Sequence, residues 1–90
     1  MRVIKAKGLF KRDYKNLRHN KDLESALKEI LEYLANDQEL PPSTQDHALA
    51  GEWAGCRECH VKPDILLIYE KERAELLRLV RIGSHSKLFG

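Results

Sequence analysis

The sequence has no long hydrophobic segment. Its longest purely apolar run, Ile65 to Tyr69, has five residues in a chain of 90, whereas a membrane-spanning helix needs about 20. Residues 1–5 also lack the apolar stretch of a secretory signal peptide. We therefore expect no membrane partner, and the expected compartment is the cytoplasm.

Cysteine and methionine are scarce. The two cysteines, Cys56 and Cys59, cannot build a disulfide framework. With His60 they match the C-x-x-C-H pattern of c-type haem attachment and supply three zinc ligands. The single methionine, Met1, leaves no internal axial ligand for haem, and a strand would send the two cysteines to opposite faces. We expect no metal and no cofactor, with a small zinc-binding module as an alternative.

Charge is nearly balanced in total but not along the chain. The 16 Lys and Arg against 14 Asp and Glu give a net charge of +2. Residues 1–22 hold eight basic and two acidic side chains, residues 23–55 one basic and seven acidic, and residues 56–90 seven basic and five acidic. If the fold joins the two basic segments, they form a surface that attracts polyanions.

The hydrophobic pattern predicts a single α+β domain over residues 1–90. Residues 2–6 alternate in polarity, as in a short strand. Apolar residues at helical spacing predict a basic helix after Gly8. They predict a second helix, capped by Asn20 or Asp22, that continues to Leu34.

The second half of the chain is expected to form a sheet. Residues 41–55 have no periodicity and indicate a structured loop. Three strands follow at 57–61, 65–69 and 76–82, the last two joined by a charged turn, with at most one helical turn after Ser84. The order β-α-α-β-β-β puts two helices on one face of a small, mainly antiparallel sheet and leaves the other face for function.

Three of the four histidines, His47, His60 and His85, lie outside the apolar pattern. Each one alone is typical of a solvated surface side chain. Together with Asp64 they favour metal-free RNA cleavage, in which a 2′-hydroxyl attacks its own phosphate and the 5′-oxygen leaves. That reaction needs a base, an acid and a cation.

Basic and aromatic side chains complete the predicted site. Trp53 and Phe89 are expected to stack on bases, with core filling and a terminal hydrophobic anchor as the respective alternatives. Four cations are expected to contact RNA or to offset the charge of the phosphorane: Arg57, Lys62, Arg81 and Lys87.

Two segments carry motifs that occur together in one known family. Residues 46–69 contain D-H-x-L-x-G-x-W and H-V-x-P-D, and residues 81–89 contain G-x-H-x-x-L-F. They resemble the YafQ toxins of the RelE/ParE superfamily of type II toxin-antitoxin systems, and the resemblance spans essentially the whole chain. It implies a RelE-like microbial RNase fold and a ribosome-dependent, metal-independent endoribonuclease that cleaves mRNA and inhibits translation.

The resemblance also implies residue roles. His47, His60, Asp64 and His85 match the catalytic positions, and His85 looks like the proton donor to the 5′-oxygen. The other three remain alternatives as the acceptor of the 2′-proton. Phe89 matches the functional C-terminal aromatic residue.

The implied partners are mRNA in the ribosomal A site and a cognate antitoxin of the DinJ or RelB type. A toxin that is monomeric alone is expected to form a hetero-oligomer with this antitoxin. The alternative function is that of a ParE-like toxin, which binds and inhibits DNA gyrase and leaves transcripts intact. The histidine set argues against this alternative, because a gyrase-binding protein has no use for it.

Overall fold

The computed structural model describes residues 1–17 and 19–90. Arg18, one of the basic residues of the first segment, lies outside this part. The helices and strands are, in chain order, β1 (Val3–Ala6), α1 (Gly8–Lys15), α2 (Lys21–Ala35), β2 (His47–Ala48), β3 (Arg57–Lys62), β4 (Ile65–Arg73), β5 (Leu76–Gly83) and α3 (His85–Phe89). Single 3₁₀ turns at Pro42–Thr44 and Gly51–Trp53 flank β2.

The five strands form one sheet in the order β1-β5-β4-β3-β2. β1 runs parallel to β5, and the other neighbours are antiparallel. A parallel pair requires a long crossover, which the two helices between β1 and the later strands provide. The predicted α+β class and the mainly antiparallel sheet are confirmed.

The main core lies between the sheet and the two long helices. α2 buries an apolar stripe, α1 adds Phe10, and the sheet contributes one face of β3, β4 and β5. The α2 stripe consists of Leu23, Leu27, Ile30 and Leu34. A smaller cluster of Leu66, Ile68 and Leu88 covers the opposite face. Because Leu88 belongs to α3, this short helix is anchored on the face that the long helices leave open.

Strand β4 is longer than predicted. The charged segment 70–73 was expected to be a turn, but it continues the strand and pairs with β5. Glu70 accepts a hydrogen bond of 3.0 Å from Arg78, which lies opposite it in the ladder. The charges therefore line the solvated end of a long hairpin, whose turn is formed by residues 74–75 instead.

Two further local features concern the ends of helices. α1 ends at Lys15, so Leu17 lies beyond it, although its side chain packs against the main core. Ser84 caps α3, because its hydroxyl accepts a hydrogen bond from the backbone N–H of Lys87. The described residues include no helix with the length and apolarity that a bilayer crossing requires.

A buried ion pair joins α1 to β5. Asp13, only 1% exposed, accepts hydrogen bonds from Arg81 Nε at 2.8 Å and Nη2 at 2.9 Å, and from the Ile82 backbone N–H at 3.3 Å. β1 pairs with β5 only as far as Leu79. Beyond Leu79, the carboxylate of Asp13 accepts the backbone hydrogen bond of Ile82 at the edge of β5. Burial by itself raises the pKa of Asp13, but the bonds from Arg81 and Ile82 outweigh it and hold the pKa below its ordinary value.

Candidate active site

A cleft of about 410 Å³ opens on the sheet face opposite the long helices. Three of the four predicted catalytic residues, His60, Asp64 and His85, line it together with Glu58. These residues come from β3, from the turn before β4 and from α3. The fold thus brings together side chains that are up to 27 positions apart in the sequence.

The elements around the cleft fix each of these side chains. His60 lies near the end of β3, where its Nδ1 is 3.3 Å from the carbonyl oxygen of Pro63. Asp64 is exposed in the two-residue turn between β3 and β4. His85 is the first residue of α3, and buried Leu88 holds this helix on the sheet.

His47 lies at the edge of the same face. The sequence indicated a loop here, but His47 and Ala48 form the short strand β2, in which His47 lies directly opposite Glu58. His47 Nε2 is 3.7 Å from Glu58 Oε2, and its Nδ1 is 2.7 Å from the carbonyl oxygen of Gln45. Two residue pairs are too few for a strand pattern to show in the sequence.

The tautomers of His47 and His60 follow from these contacts. A carbonyl oxygen only accepts, so each Nδ1 must carry the hydrogen and donate it. In the neutral imidazole the lone pair is then on Nε2. Both histidines are therefore arranged to accept a proton at Nε2.

Glu58 is a site residue that the sequence analysis missed. The residue is buried, at 6% relative exposure, on the wall of the cleft. Residues two apart on a strand share a face, so a glutamate two positions before His60 was the available signal. Glu58 thus lies opposite His47 of β2 and two residues before His60 on β3, so its carboxylate is next to both histidines.

An aromatic cluster borders the cleft. The Phe89 ring is 5.1 Å from the His85 ring at 43° and meets the Trp53 ring edge-on at 6.5 Å. Phe89 is 37% exposed, whereas Trp53 packs against the cluster of Leu66, Ile68 and Leu88. Trp53 thus serves the packing of this face, and Phe89 keeps a free surface beside His85.

The predicted RNA-binding cations do not line the cleft, whose described lining contains no Lys or Arg. Lys87 is exposed on α3. The other three contact carboxylates: Arg57 contacts Asp46 at 3.1 Å, Lys62 contacts Asp22 at 3.8 Å and Arg81 contacts Asp13 at 2.8 Å. For Arg57 and Arg81 the contacts are bidentate, so their charge is compensated before any phosphate approaches.

The two cysteines point to opposite faces of the sheet, as expected for a strand. Cys59 is buried in the main core, and Cys56 packs against the smaller cluster. Burial raises the pKa of the Cys59 thiol to about 12. Within residues 1–17 and 19–90, no three His, Cys, Asp or Glu side chains converge on a metal position. Cys56 and Cys59 therefore do not converge on one position in the described structure.

Comparison with known proteins agrees with the motifs. Residues 2–90 match the family described as "Bacterial toxin of type II toxin-antitoxin system, YafQ". The chain is 41% identical over 91 residues to the mRNA interferase toxin YafQ of Escherichia coli strain K12, covering 99% of this chain and 97% of the relative.

Solved structures show the same relationship. A copper-bound mutant toxin from Helicobacter pylori superposes with a TM-score of 0.90 at 42% identity, covering 99% of this chain and 100% of that one. A toxin chain from the E. coli DinJ-YafQ complex gives a TM-score of 0.86 at 39% identity, with 100% of both chains covered. The protein described here therefore belongs to the YafQ family of bacterial toxins of type II toxin-antitoxin systems.

Proposed function

We propose that this toxin is an endoribonuclease of the mRNA interferase class that cleaves mRNA on the translating ribosome without a metal ion. The E. coli relative carries the name mRNA interferase. The observation that carries the proposal is the cleft that brings His60, Asp64 and His85 together beside the buried carboxylate of Glu58.

The reaction needs one proton acceptor and one donor. His60 Nε2 takes the proton of the 2′-hydroxyl, and the resulting oxygen attacks the adjacent phosphorus. The bond from phosphorus to the 5′-oxygen breaks as the protonated His85 donates its proton to that oxygen. The products are a 2′,3′-cyclic phosphate and a 5′-hydroxyl. His60 is assigned as the base because it lines the same cleft as His85 and its Nδ1 contacts the Pro63 carbonyl oxygen, which leaves Nε2 to accept a proton.

The remaining polar groups support this transfer. Asp64, exposed at the rim, accepts a hydrogen bond from a ribose hydroxyl. His47 faces Glu58 at the cleft edge, and its protonated form offsets negative charge on the phosphorane, as a cation does in metal-free phosphoryl chemistry. Phe89 stacks on a base next to the scissile bond.

Dependence on the ribosome is supported by the charge of the cleft. Glu58 and Asp64 are both acidic, and the described lining offers no Lys or Arg, so free RNA is poorly attracted. A ribosome that presents mRNA in fixed geometry replaces this missing attraction by positioning. Four exposed lysines in β1, in α1 and at the residue between them are suited to ribosomal RNA phosphates: Lys5, Lys7, Lys11 and Lys15.

The proposed regulation is by an antitoxin. The E. coli relative has been solved as a DinJ-YafQ complex, and we assign this toxin a cognate antitoxin of the same type, acting in the cytoplasm. Light scattering should show a monomer for the toxin alone and a hetero-oligomer after mixing with the antitoxin. A stable toxin dimer, or growth arrest that the antitoxin does not relieve, would contradict this part.

The test maps transcript ends after induction of wild type, His85→Gln and His19→Gln, with translation active or blocked. His19 is an exposed histidine away from the cleft and serves as the matched control. Cuts should appear with wild type and His19→Gln only, should require translation, and should persist when a chelator selective for transition metals is added, because such a chelator leaves the Mg²⁺ of the ribosome in place. Cleavage by His85→Gln at the wild-type rate refutes the mechanism. DNA damage with intact transcripts supports the gyrase alternative.

A further inference from the structure

The residue before His47 is held by a three-way contact on the other face of the sheet. Asp46 accepts hydrogen bonds from Arg57 Nε at 3.3 Å and Nη2 at 3.1 Å, and from the hydroxyl of Tyr69. Arg57 begins β3 and lies opposite Tyr69 of β4. One carboxylate thus ties the segment that enters β2 to the next two strands of the sheet.

This tie is needed because β2 is short. Only two residue pairs, His47 with Glu58 and Ala48 with Arg57, join β2 to β3. Such a strand frays easily unless its ends are fixed. Tyr69 is only 1% exposed, so it gives Asp46 a rigid partner inside the core.

The contact acts on His47 through the backbone. Successive side chains in an extended segment point to opposite faces, so fixing Asp46 on the helix side directs His47 toward Glu58. His47 is also held by the carbonyl of Gln45, a residue with the left-handed φ of 52°. Burial and then the nearby Asp46 raise the pKa of Tyr69, so its hydroxyl stays protonated and keeps donating.

We infer that Asp46, Arg57 and Tyr69 form a positioning unit that sets His47 against Glu58 at the edge of the cleft. Arg57, which the sequence indicated as an RNA contact, acts in this unit through Asp46 instead. The inference rests on the proposed function, because it gives His47 a part in cleavage.

The test measures single-turnover cleavage of mRNA on stalled ribosomes as toxin concentration varies. Tyr69→Phe removes one hydroxyl and retains the packed ring, and Arg57→Lys removes the bidentate contact from a half-exposed position. Each should lower the maximal rate about tenfold, within the range that small misplacements cost, with the half-saturating concentration unchanged. Asp37→Asn, which changes an exposed carboxylate paired with Arg2 away from the cleft, is the matched control and should cleave like wild type.

A double-mutant cycle separates positioning from other roles. In a His47→Gln background, Tyr69→Phe should lower the rate no further, because its effect passes through the missing imidazole. The imidazole ¹⁵N shifts of His47 should also change in Tyr69→Phe, while those of His85 stay constant. Thermal melts establish that each variant is folded at the assay temperature. Arg57→Lys probes the same contact without altering the core.

Several results would overturn the inference. It fails if His47→Gln is slow but Tyr69→Phe and Arg57→Lys cleave at the wild-type rate, or if the effects of Tyr69→Phe and His47→Gln add fully. It also fails if Arg57→Lys changes only the half-saturating concentration, which is the result expected when a bidentate contact of Arg57 with phosphate is lost. If His47→Gln and His85→Gln both cleave normally, the proposed function itself fails, and the inference fails with it.

Discussion

Replacing Asp13 by Asn should destabilise the fold through the junction of α1 and β5. The carboxylate accepts two hydrogen bonds from Arg81 and one from the backbone of Ile82, and it is 1% exposed. Asparagine keeps one oxygen for three donors, and its amide hydrogens face the guanidinium. Hydrogen bonds to charged groups contribute about 1.5–3 kcal/mol each, and breaking a buried pair costs about 3–5 kcal/mol.

The expected loss is smaller than that full range, because Arg81 is 15% exposed and water can reach its guanidinium. We expect about 2–4 kcal/mol, which lowers the melting temperature by about 10–20 °C for a chain of this size. Urea denaturation followed by circular dichroism measures it directly. Asp37, whose carboxylate is 53% exposed where it pairs with Arg2, is the control, and Asp37→Asn should shift the midpoint less than Asp13→Asn does.

The same carboxylate predicts a pH dependence. The folded pKa of Asp13 is lower than its unfolded value of about 3.9, so its contribution is complete above that value and is lost as pH falls through the folded pKa. The stability difference between wild type and Asp13→Asn should therefore be constant near neutrality and shrink below about pH 4. A difference that is absent at pH 7, or that grows on acidification, would refute the reasoning.

Three further predictions concern other parts of the molecule. Cys59 should resist iodoacetamide at pH 8 in the native protein and react after denaturation, because its thiol is buried and its pKa is raised to about 12. Mass spectrometry measures the labelling of Cys59, and rapid labelling of the native protein would contradict its buried position. Leu88→Ala should lower stability by about 2–4 kcal/mol in urea melts, whereas Phe89→Ala should keep the wild-type midpoint and slow ribosomal cleavage; equal midpoints for the two would contradict the anchoring of α3. Lys11→Gln should weaken ribosome binding and should reduce the slope of log affinity against log salt concentration by about one. If wild-type binding does not depend on salt, the proposed phosphate contacts are excluded.

The hydrophobic pattern of the sequence predicts the helices and long strands because it follows their burial. α2 shows an apolar stripe because it buries one face, and β4 shows a continuous apolar run at 65–69 because it is buried on both faces. The pattern fails where few residues are involved, as in β2, which is two residues long and depends on contacts made by Asp46. The charged end of β4 was mistaken for a turn because its pairing with β5, not its polarity, makes it a strand.

The sequence predicted the histidines of the cleft but not the partners of the cations or the place of Glu58. Histidines outside the apolar pattern, together with the family motifs, pointed to His60 and His85, and the fold places them in one cleft. The partners of the cations were not predictable, because Arg81 meets Asp13 across 68 positions and Arg57 meets Asp46 only after β3 and β2 pair. Glu58 was missed because a glutamate in a half-exposed strand looks like surface until its burial is known.

In the proposed mechanism, His85 supplies the proton that releases the 5′-oxygen of ribosome-bound mRNA. The most direct measurement is the single-turnover cleavage rate of a defined mRNA on the ribosome, comparing wild type, His85→Gln and the His19→Gln control. A general acid contributes about 10²- to 10⁴-fold, so His85→Gln should lose at least about 100-fold while the control retains the wild-type rate. A rate for His85→Gln close to that of wild type would contradict the account.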